Sequence, residues 1–553
     1  VILLLLAVAV GAPIAAFKLN RERLRSQQVA SFLKDMFTSF GPSALGQDTT
    51  VMRGILHTTA ERVGRDLAGQ PEVETELRDI LGQTYRELAL YKQMEEMARE
   101  NLRFSQSHWG GEHLAVAAAL QQLGEAMTLQ GNHATAATYL RQALALERKL
   151  VGNEHPAVAN TLETLALALK RQKQPHLVNE AEKMAREALA IQRKLFGNEH
   201  AYVANSLYNL GLVLRTAGKL AEAESAHKEA LGLQRKLFGN ESTAVAESLN
   251  SLAAVLHHEG KLAESEAVNR EALAIYIKLF GKEHQFVANA LGTLATTLVD
   301  QHKNAEAERM LKDVLTPAFA SRPQSATFFR VRAGLFASQG RWIEASADAS
   351  KVVQFEPAKQ WGYQALTLLL VASGDLERYR HVCATNLDRF KSTKDADIAA
   401  QVARTCLILP SSGADLEAVD ALAETAISME EDNRFHHVFQ FTKGLADYRQ
   451  GRLSSAVEWM QKILIQTEPD ALRDAKACAV LAMAQHQLHQ LDEARNFLRE
   501  ARIAQSKWPN VENLDLRSNW RDWIMAQALV EEAGVLIEGP ASRTNPFGTK
   551  SPQ

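Results

Sequence analysis

KLVGNEHPAVAN at 149–160, KLFGNEHAYVAN at 194–205, KLFGNESTAVAE at 236–247 and KLFGKEHQFVAN at 278–289 are four copies of one phrase. A weaker copy, HWGGEH, ends at His113. The equivalent positions His113, His155, His200, Ser242 and His284 stand 42, 45, 42 and 42 residues apart. A fixed period of this length marks stacked supersecondary units rather than separate globular cores. The longer interval has three extra residues near Gln174-Pro175-His176. Because helical patterning survives on both sides, the insertion is expected in the turn between two helices.

Each unit contains two apolar stripes at helical spacing. In the third, Val203, Leu207, Leu210 and Leu214 mark a first helix, and Leu220, Ala223 and Ala230 a second. The turn between them holds Gly218, with equivalents at Gly131, Gly260, Gly340, Gly374 and Gly451. That placement is expected where a helix ends in a left-handed residue. Gly152, Gly197, Gly239 and Gly281 close the second helices, and the following His or Ser starts the next first helix. Pro156 follows its His at a first helical position, where a missing N–H is harmless.

These residues resemble the tetratricopeptide family, whose two-helix unit places one small residue on each helix. The pattern falls on Leu210-Gly211, Leu214, Gly218, Ala223 and Ala230, and again on Leu252-Ala253, Leu256, Gly260 and Ala272, with Ser265 replacing an Ala. The 42-residue period and the GNEHP-x-VAN phrase look like the lengthened repeats of kinesin light chains and their bacterial relatives, closely so over 110–320. From 324 the units shorten toward 34 residues, as Ala333, Phe336, Gly340, Ala345 and Pro357 show. Gly444, Tyr448, Gly451 and Ala456 mark a degenerate later unit, and Ala482, Ala494 and Ala501 another. Trp523, Ala526, Val530, Ala533 and Ile537 form the stripe of a terminal helix suited to cap the last hairpin.

The chain has 553 residues, 46% hydrophobic and 23% charged, which excludes a disordered polymer. A net charge of -3 removes the general argument for nucleic-acid binding. The 17 residues before Lys18 carry no charge and are mostly apolar, the low end of a membrane span. No basic lead-in precedes them, which argues against a secretory signal, and no Met starts them, so the natural chain is expected to begin upstream. Lys18, Arg21, Arg23 and Arg25 follow the run and by themselves favour a cytoplasmic C-terminal portion. Two amphipathic helices broken at Gly41-Pro42 come next, the second capped by Asp48 or Thr49.

The motifs that place a nucleophile, base, phosphate or metal are absent from the sequence, so no catalytic residue, cofactor or metal ligand is assigned. His113, His155, His200 and His284 recur once per stacked unit and cannot converge on one ion, so they read as helix-start residues. His486 and His489 fit one helical face, as do His257 or His258 with a neighbour, but a third ligand is missing. Cys383, Cys406 and Cys478 fall at packing positions and read as buried small hydrophobes.

Function is therefore expected on the surface built from the first helices. By resemblance to other tetratricopeptide proteins, the groove positions are Asn160, Glu163 and Lys170; Asn205, Tyr208 and Arg215; Glu247, Asn250 and His257; and Asn289. Asn side chains can bond an extended peptide backbone while Lys, Arg and Tyr read its side chains. The competing reading is a set of ordinary solvated helix positions.

A second resemblance covers almost the whole chain. The apolar run, KLNRERLRSQQ, the phrase GQDTTVMRGILHTTAERVGRDLAGQPEVETELRDILGQTY and the GNEH repeats look like the region after the kinase domain of certain bacterial membrane-bound serine/threonine protein kinases. That resemblance implies a catalytic domain before Val1 and repeats on the extracytoplasmic side, although no kinase residue is present. The expected fold is all-α, a right-handed α-solenoid of tetratricopeptide helical hairpins with an N-terminal membrane helix. The expected divisions are a transmembrane helix at 1–17, a juxtamembrane helical spacer at 18–70, kinesin-light-chain-like repeats at 71–320, shorter repeats at 321–510, a capping helix at 511–538 and a flexible tail at 539–553. The expected role is a single-pass membrane-anchored scaffold for a protein or peptide partner, with self-association open and no nucleic acid; the alternative is the sensor portion of such a kinase.

Overall fold

The repeated His decides where the first helices begin. In the computed structural model, which describes residues 49–67, 70–88, 90–172, 174–428, 436–466, 470–508, 519–540 and 547, the chain divides into two units, 1–219 and 220–553. The described residues are helices and connections without a strand.

In the first unit the helices are α1 Thr49–Asp66, α2 Pro71–Glu87, α3 Tyr91–Trp109, α4 Leu114–Gln130, α5 His133–Val151, α6 Pro156–Arg171, α7 Pro175–Phe196 and α8 Ala201–Thr216. His113, His155 and His200 have extended backbone, and each Nδ1 accepts the backbone N–H two residues on at 3.1–3.2 Å. This satisfies one of the donors that a helix start leaves open, and it requires an unprotonated Nδ1. Phe196 stacks on the His200 ring at 4.6 Å, so the end of one unit holds the cap of the next.

Consecutive helices pack on one another, and first helices also pack on first helices, α4 on α6 and α6 on α8. The first helices thus crowd together on one inner face. Small residues permit the close approach within a hairpin: a Cβ on Gly124 of α4 would stand 2.5 Å from Leu140 Cγ of α5. Across α5 and α6, the buried Glu147 carboxylate accepts the Thr161 hydroxyl at 3.0 Å. Its second oxygen, Oε2, is buried without a hydrogen-bond partner among the described residues.

The three-residue insertion does not enlarge the turn. Helix α7 has 22 residues where α5 has 19, so the extra residues add most of a helical turn at its start, with Pro175 in first position. Helix α1 is also more than a spacer, since Leu56, Val63 and Leu67 share a buried cluster with Leu77, Leu81 and Met94. The expected membrane helix at 1–17, the spacer up to 48 and the Asp48 cap lie outside the described residues. Among the described residues no helix is long and apolar enough to cross a membrane.

In the second unit the helices are α9 Leu220–Phe238, α10 Thr243–His258, α11 Leu262–Phe280, α12 Gln285–Asp300, α13 Asn304–Val314, α14 Pro317–Ala320, α15 Ala326–Ser338, α16 Trp342–Phe355 and α17 Gln360–Ser373. They continue as α18 Leu376–Phe390, α19 Ala396–Leu407, α20 Leu416–Ile427, α21 His436–Arg449, α22 Leu453–Gln466, α23 Ala471–Gln487, α24 Leu491–Gln505 and α25 Trp520–Glu538. His284 caps α12 as the earlier His residues do, whereas the Ser242 hydroxyl caps α10 by accepting the Val245 N–H three residues on at 3.3 Å; burial lowers the His284 pKa. Ser265 fits its small-residue position by donating to the Ala253 carbonyl at 2.8 Å. All three cysteines are free and buried.

First helices again pack together, α10 on α12, α17 on α19, α19 on α21 and α21 on α23. Three expectations need correction here. His489 does not share a helical face with His486, because α23 ends at Gln487 and His489 takes a left-handed turn position with φ 62°, as His302 does with φ 60° and as Gly does in other turns. Helix α25 does not only cover the last hairpin; it packs on α23 and α24 and also reaches back to α17. Phe547, within the expected flexible tail, is buried, and its carbonyl accepts Trp342 Nε1 at 3.0 Å while Trp342 stacks on Trp523 at 5.9 Å.

Candidate functional site

On the inner face of the first unit, α6 supplies Asn160, Glu163 and Lys170, and α8 supplies Asn205, Tyr208 and Arg215. Asn160 and Asn205 are exposed, Lys170, Tyr208 and Arg215 are half-buried, and Glu163 is buried. Glu163 is an acceptor hub between the two helices. Asn205 Nδ2 and Asn209 Nδ2 each donate to its Oε2 at 3.0 Å, and the Ser206 hydroxyl donates to Oε1. Burial raises the Glu163 pKa, and the bonds from Ser206, Asn209 and Asn205 oppose that shift. One donor of Asn205 is therefore already engaged inside the protein, while Asn160 on the neighbouring helix stays exposed.

Ser206 and Asn209 were absent from the sequence-based candidates. Their signal was present as polar residues interrupting the packed stripe Val203–Leu207–Leu210, but nothing in one sequence says which buried acceptor they answer.

About two turns further along each helix, the charge changes sign. Burial first, then the nearby Arg171 and Arg215 charges, pull the Lys170 pKa down to about 8. Arg215 Nε is buried and has no hydrogen-bond partner among the described residues. The face thus runs from a hydrogen-bonded carboxylate and amides to two mutually repelling cations, an arrangement that can hold an extended polar chain with an acidic side chain at one end.

In the second unit the equivalent positions are not uniform. Glu247 and Asn250 on α10 are half-buried; burial raises the Glu247 pKa, and Asn250 Oδ1 lacks a hydrogen-bond partner among the described residues. His257 Nε2 lies 2.7 Å from Asp300 Oδ2, which engages the ring across α10 and α12. Asn289 on α12 is exposed. Among the described residues no group of three His, Cys, Asp or Glu side chains is placed to hold a metal ion.

Hairpins of this period, with small residues at the helix contacts and first helices packed on one another, have the organisation of tetratricopeptide repeats. The tetratricopeptide-repeat family model matches residues 123–178, 176–236 and 244–316, so these residues are tetratricopeptide repeats. Among solved structures, a putative kinesin light chain with nearly identical TPR-like repeats from Podosopora anserina is 23% identical, covers 38% of this chain and 97% of its own, and has a TM-score of 0.33. BtubC (BKLC) from P. vanneervenii is 20% identical, covers 40% of this chain and 89% of its own, and has a TM-score of 0.35. The apo form of the quorum sensor NprR from B. thuringiensis is 11% identical, covers 64% of this chain and 97% of its own, and has a TM-score of 0.43. No curated protein matches the chain.

Proposed function

We propose that the chain is a noncatalytic scaffold that holds an extended, acidic segment of a protein partner on the inner face of α6 and α8. The observation that carries this reading is the pair Lys170 and Arg215, cations on neighbouring first helices that repel one another. A partner carboxylate placed between them relieves the repulsion and supplies the acceptor that Arg215 Nε lacks. The test is selection of a random 12-residue peptide display library on the full chain, followed by fluorescence anisotropy with the selected peptides. Enrichment of Asp and Glu, and an affinity loss of about tenfold or more in Lys170→Ala/Arg215→Ala, support the reading. Selection without acidic enrichment, or unchanged affinity in that variant, overturns it.

The apolar run at 1–17 supports a membrane tether for this scaffold. A second reading, the sensor portion of a membrane serine/threonine kinase with its repeats outside the cytoplasm, is supported by the order of apolar run, GQDTTVMRG phrase and repeats. Sequencing the reading frame upstream of Val1 tests it: a Gly-rich loop followed by HRD and DFG phrases supports it, and a start codon within a few residues refutes it.

A further inference from the structure

The return of α25 to α17 assembles a set of charges that sequence order scatters over almost two hundred residues. Arg330 comes from α15, Arg404 from α19, Lys476 from α23, and Arg521 with Asp522 from the first turn of α25. Lys476, with a side chain 9% exposed, meets Asp522 at 2.5 Å, while the Asp522 side chain is 54% exposed, so the cluster opens to water. Lys476 chiefly, then Arg404 and Arg521, hold the Asp522 pKa down to about 2 against its loss of water. Arg521 is in turn influenced by Arg330.

These charges do not balance. Arg404 Nε and Arg521 Nε are buried and have no hydrogen-bond partner among the described residues. Besides Asp522, Arg404 feels Asp397 on its own helix. Arg330 feels Glu356, which is already paired with Lys359 at 2.6 Å. Four cations therefore face two carboxylates, Asp397 and Asp522. A buried Nε–H left without an acceptor is unfavourable, and burial lowers the pKa of both Arg404 and Arg521. Aromatic faces steady the cations: Arg330 lies 4.8 Å from the Trp361 ring centre, Arg521 4.4 Å from Trp520 and Lys476 5.5 Å from Phe441.

We propose that Arg330, Arg404, Lys476 and Arg521 form a binding site for a small molecule carrying a multiply charged oxyanion, either phosphoryl or polycarboxylate. The planar guanidinium edges match oxyanion geometry, and the unsatisfied Nε atoms are the donors such a group fills. A compact ligand is favoured over a peptide because α25 itself lies against the first helices α17 and α23, where an extended chain would run. Asp522 acts as an internal competitor for the same cations.

The experiment is calorimetric titration of the full chain with inorganic pyrophosphate and, separately, with citrate. Binding of either is expected, and the tighter one identifies the phosphoryl or the polycarboxylate source. Arg404→Gln/Arg521→Gln is expected to weaken binding by about tenfold or more, whereas Asp522→Asn, which frees the cations, is expected to tighten it several-fold. Arg141→Gln, in an exposed ion pair with Glu180 far along the chain, leaves it unchanged. Absence of binding by both probes at millimolar concentration overturns the proposal. So does equal or weaker affinity in Asp522→Asn, which decides the matter even if the double Arg variant fails to fold.

Discussion

Replacing Glu147 by Gln changes one oxygen for nitrogen at a site where the structure assigns a large electrostatic penalty. Glu147 is 3% exposed, accepts one hydroxyl, from Thr161, and leaves Oε2 unpaired among the described residues. Burial raises its pKa from 4.5 to about 7, and the Thr161 bond only partly opposes this. At roughly 1.4 kcal/mol per unit, the shift corresponds to about 3 kcal/mol of folding free energy. Because the folded pKa is raised, the folded protein binds the extra proton between pH 4.5 and about 7. The contribution is therefore fully present below pH 4.5 and lost as pH rises through 7. Glu147→Gln keeps the acceptor for Thr161 and cannot ionise. Hydrogen exchange of backbone amides in 136–169, read by mass spectrometry and corrected for intrinsic pH dependence, isolates this part of the chain. The wild type should lose up to about 3 kcal/mol of local protection from pH 5 to pH 8, and the variant should show a flat profile. Parallel profiles for the two proteins would refute the assignment of that penalty to Glu147.

Three further outcomes follow from single positions. Gly124→Ala places a Cβ 2.5 Å from Leu140 Cγ and 3.2 Å from the Ala136 carbonyl, and should destabilise thermal unfolding by about 1–3 kcal/mol; a loss below about half a kcal/mol contradicts the packing. His489→Gly relieves a left-handed non-glycine residue and should stabilise the protein by roughly half to one kcal/mol, whereas a lowered melting temperature would show that the His side chain earns its place. Binding of a selected acidic peptide should weaken as pH rises through about 8, because neutral Lys170 must regain a proton to pair with the ligand. Lys170→Arg should remove that slope, and a slope that survives the change refutes the role of Lys170.

Much of the local architecture was legible because it depends on residues close together in the chain. The His caps are set by a ring reaching an N–H two residues away, and the turn glycines by a backbone angle, so one period was enough to find both. The inner-face residues were legible as a column but not in their states. Whether Asn205 faces a ligand or a neighbouring carboxylate depends on Glu163, which lies 42 residues earlier. The insertion at 174–176 shows the same limit, since helical patterning allows either a longer turn or a longer helix, and only packing chose the helix.

The sequence by itself determined repeated helical hairpins, their starts, their turns and the small residues at their contacts, because short-range geometry and 3.6-residue periodicity suffice for these. Tertiary structure decided which polar groups are satisfied within the protein, that Phe547 is buried beside Trp342, and that α25 carries Arg521 and Asp522 to the cations of distant repeats. Those outcomes depend on how successive hairpins stack, and small per-repeat rotations accumulate over many units before they bring such distant residues together.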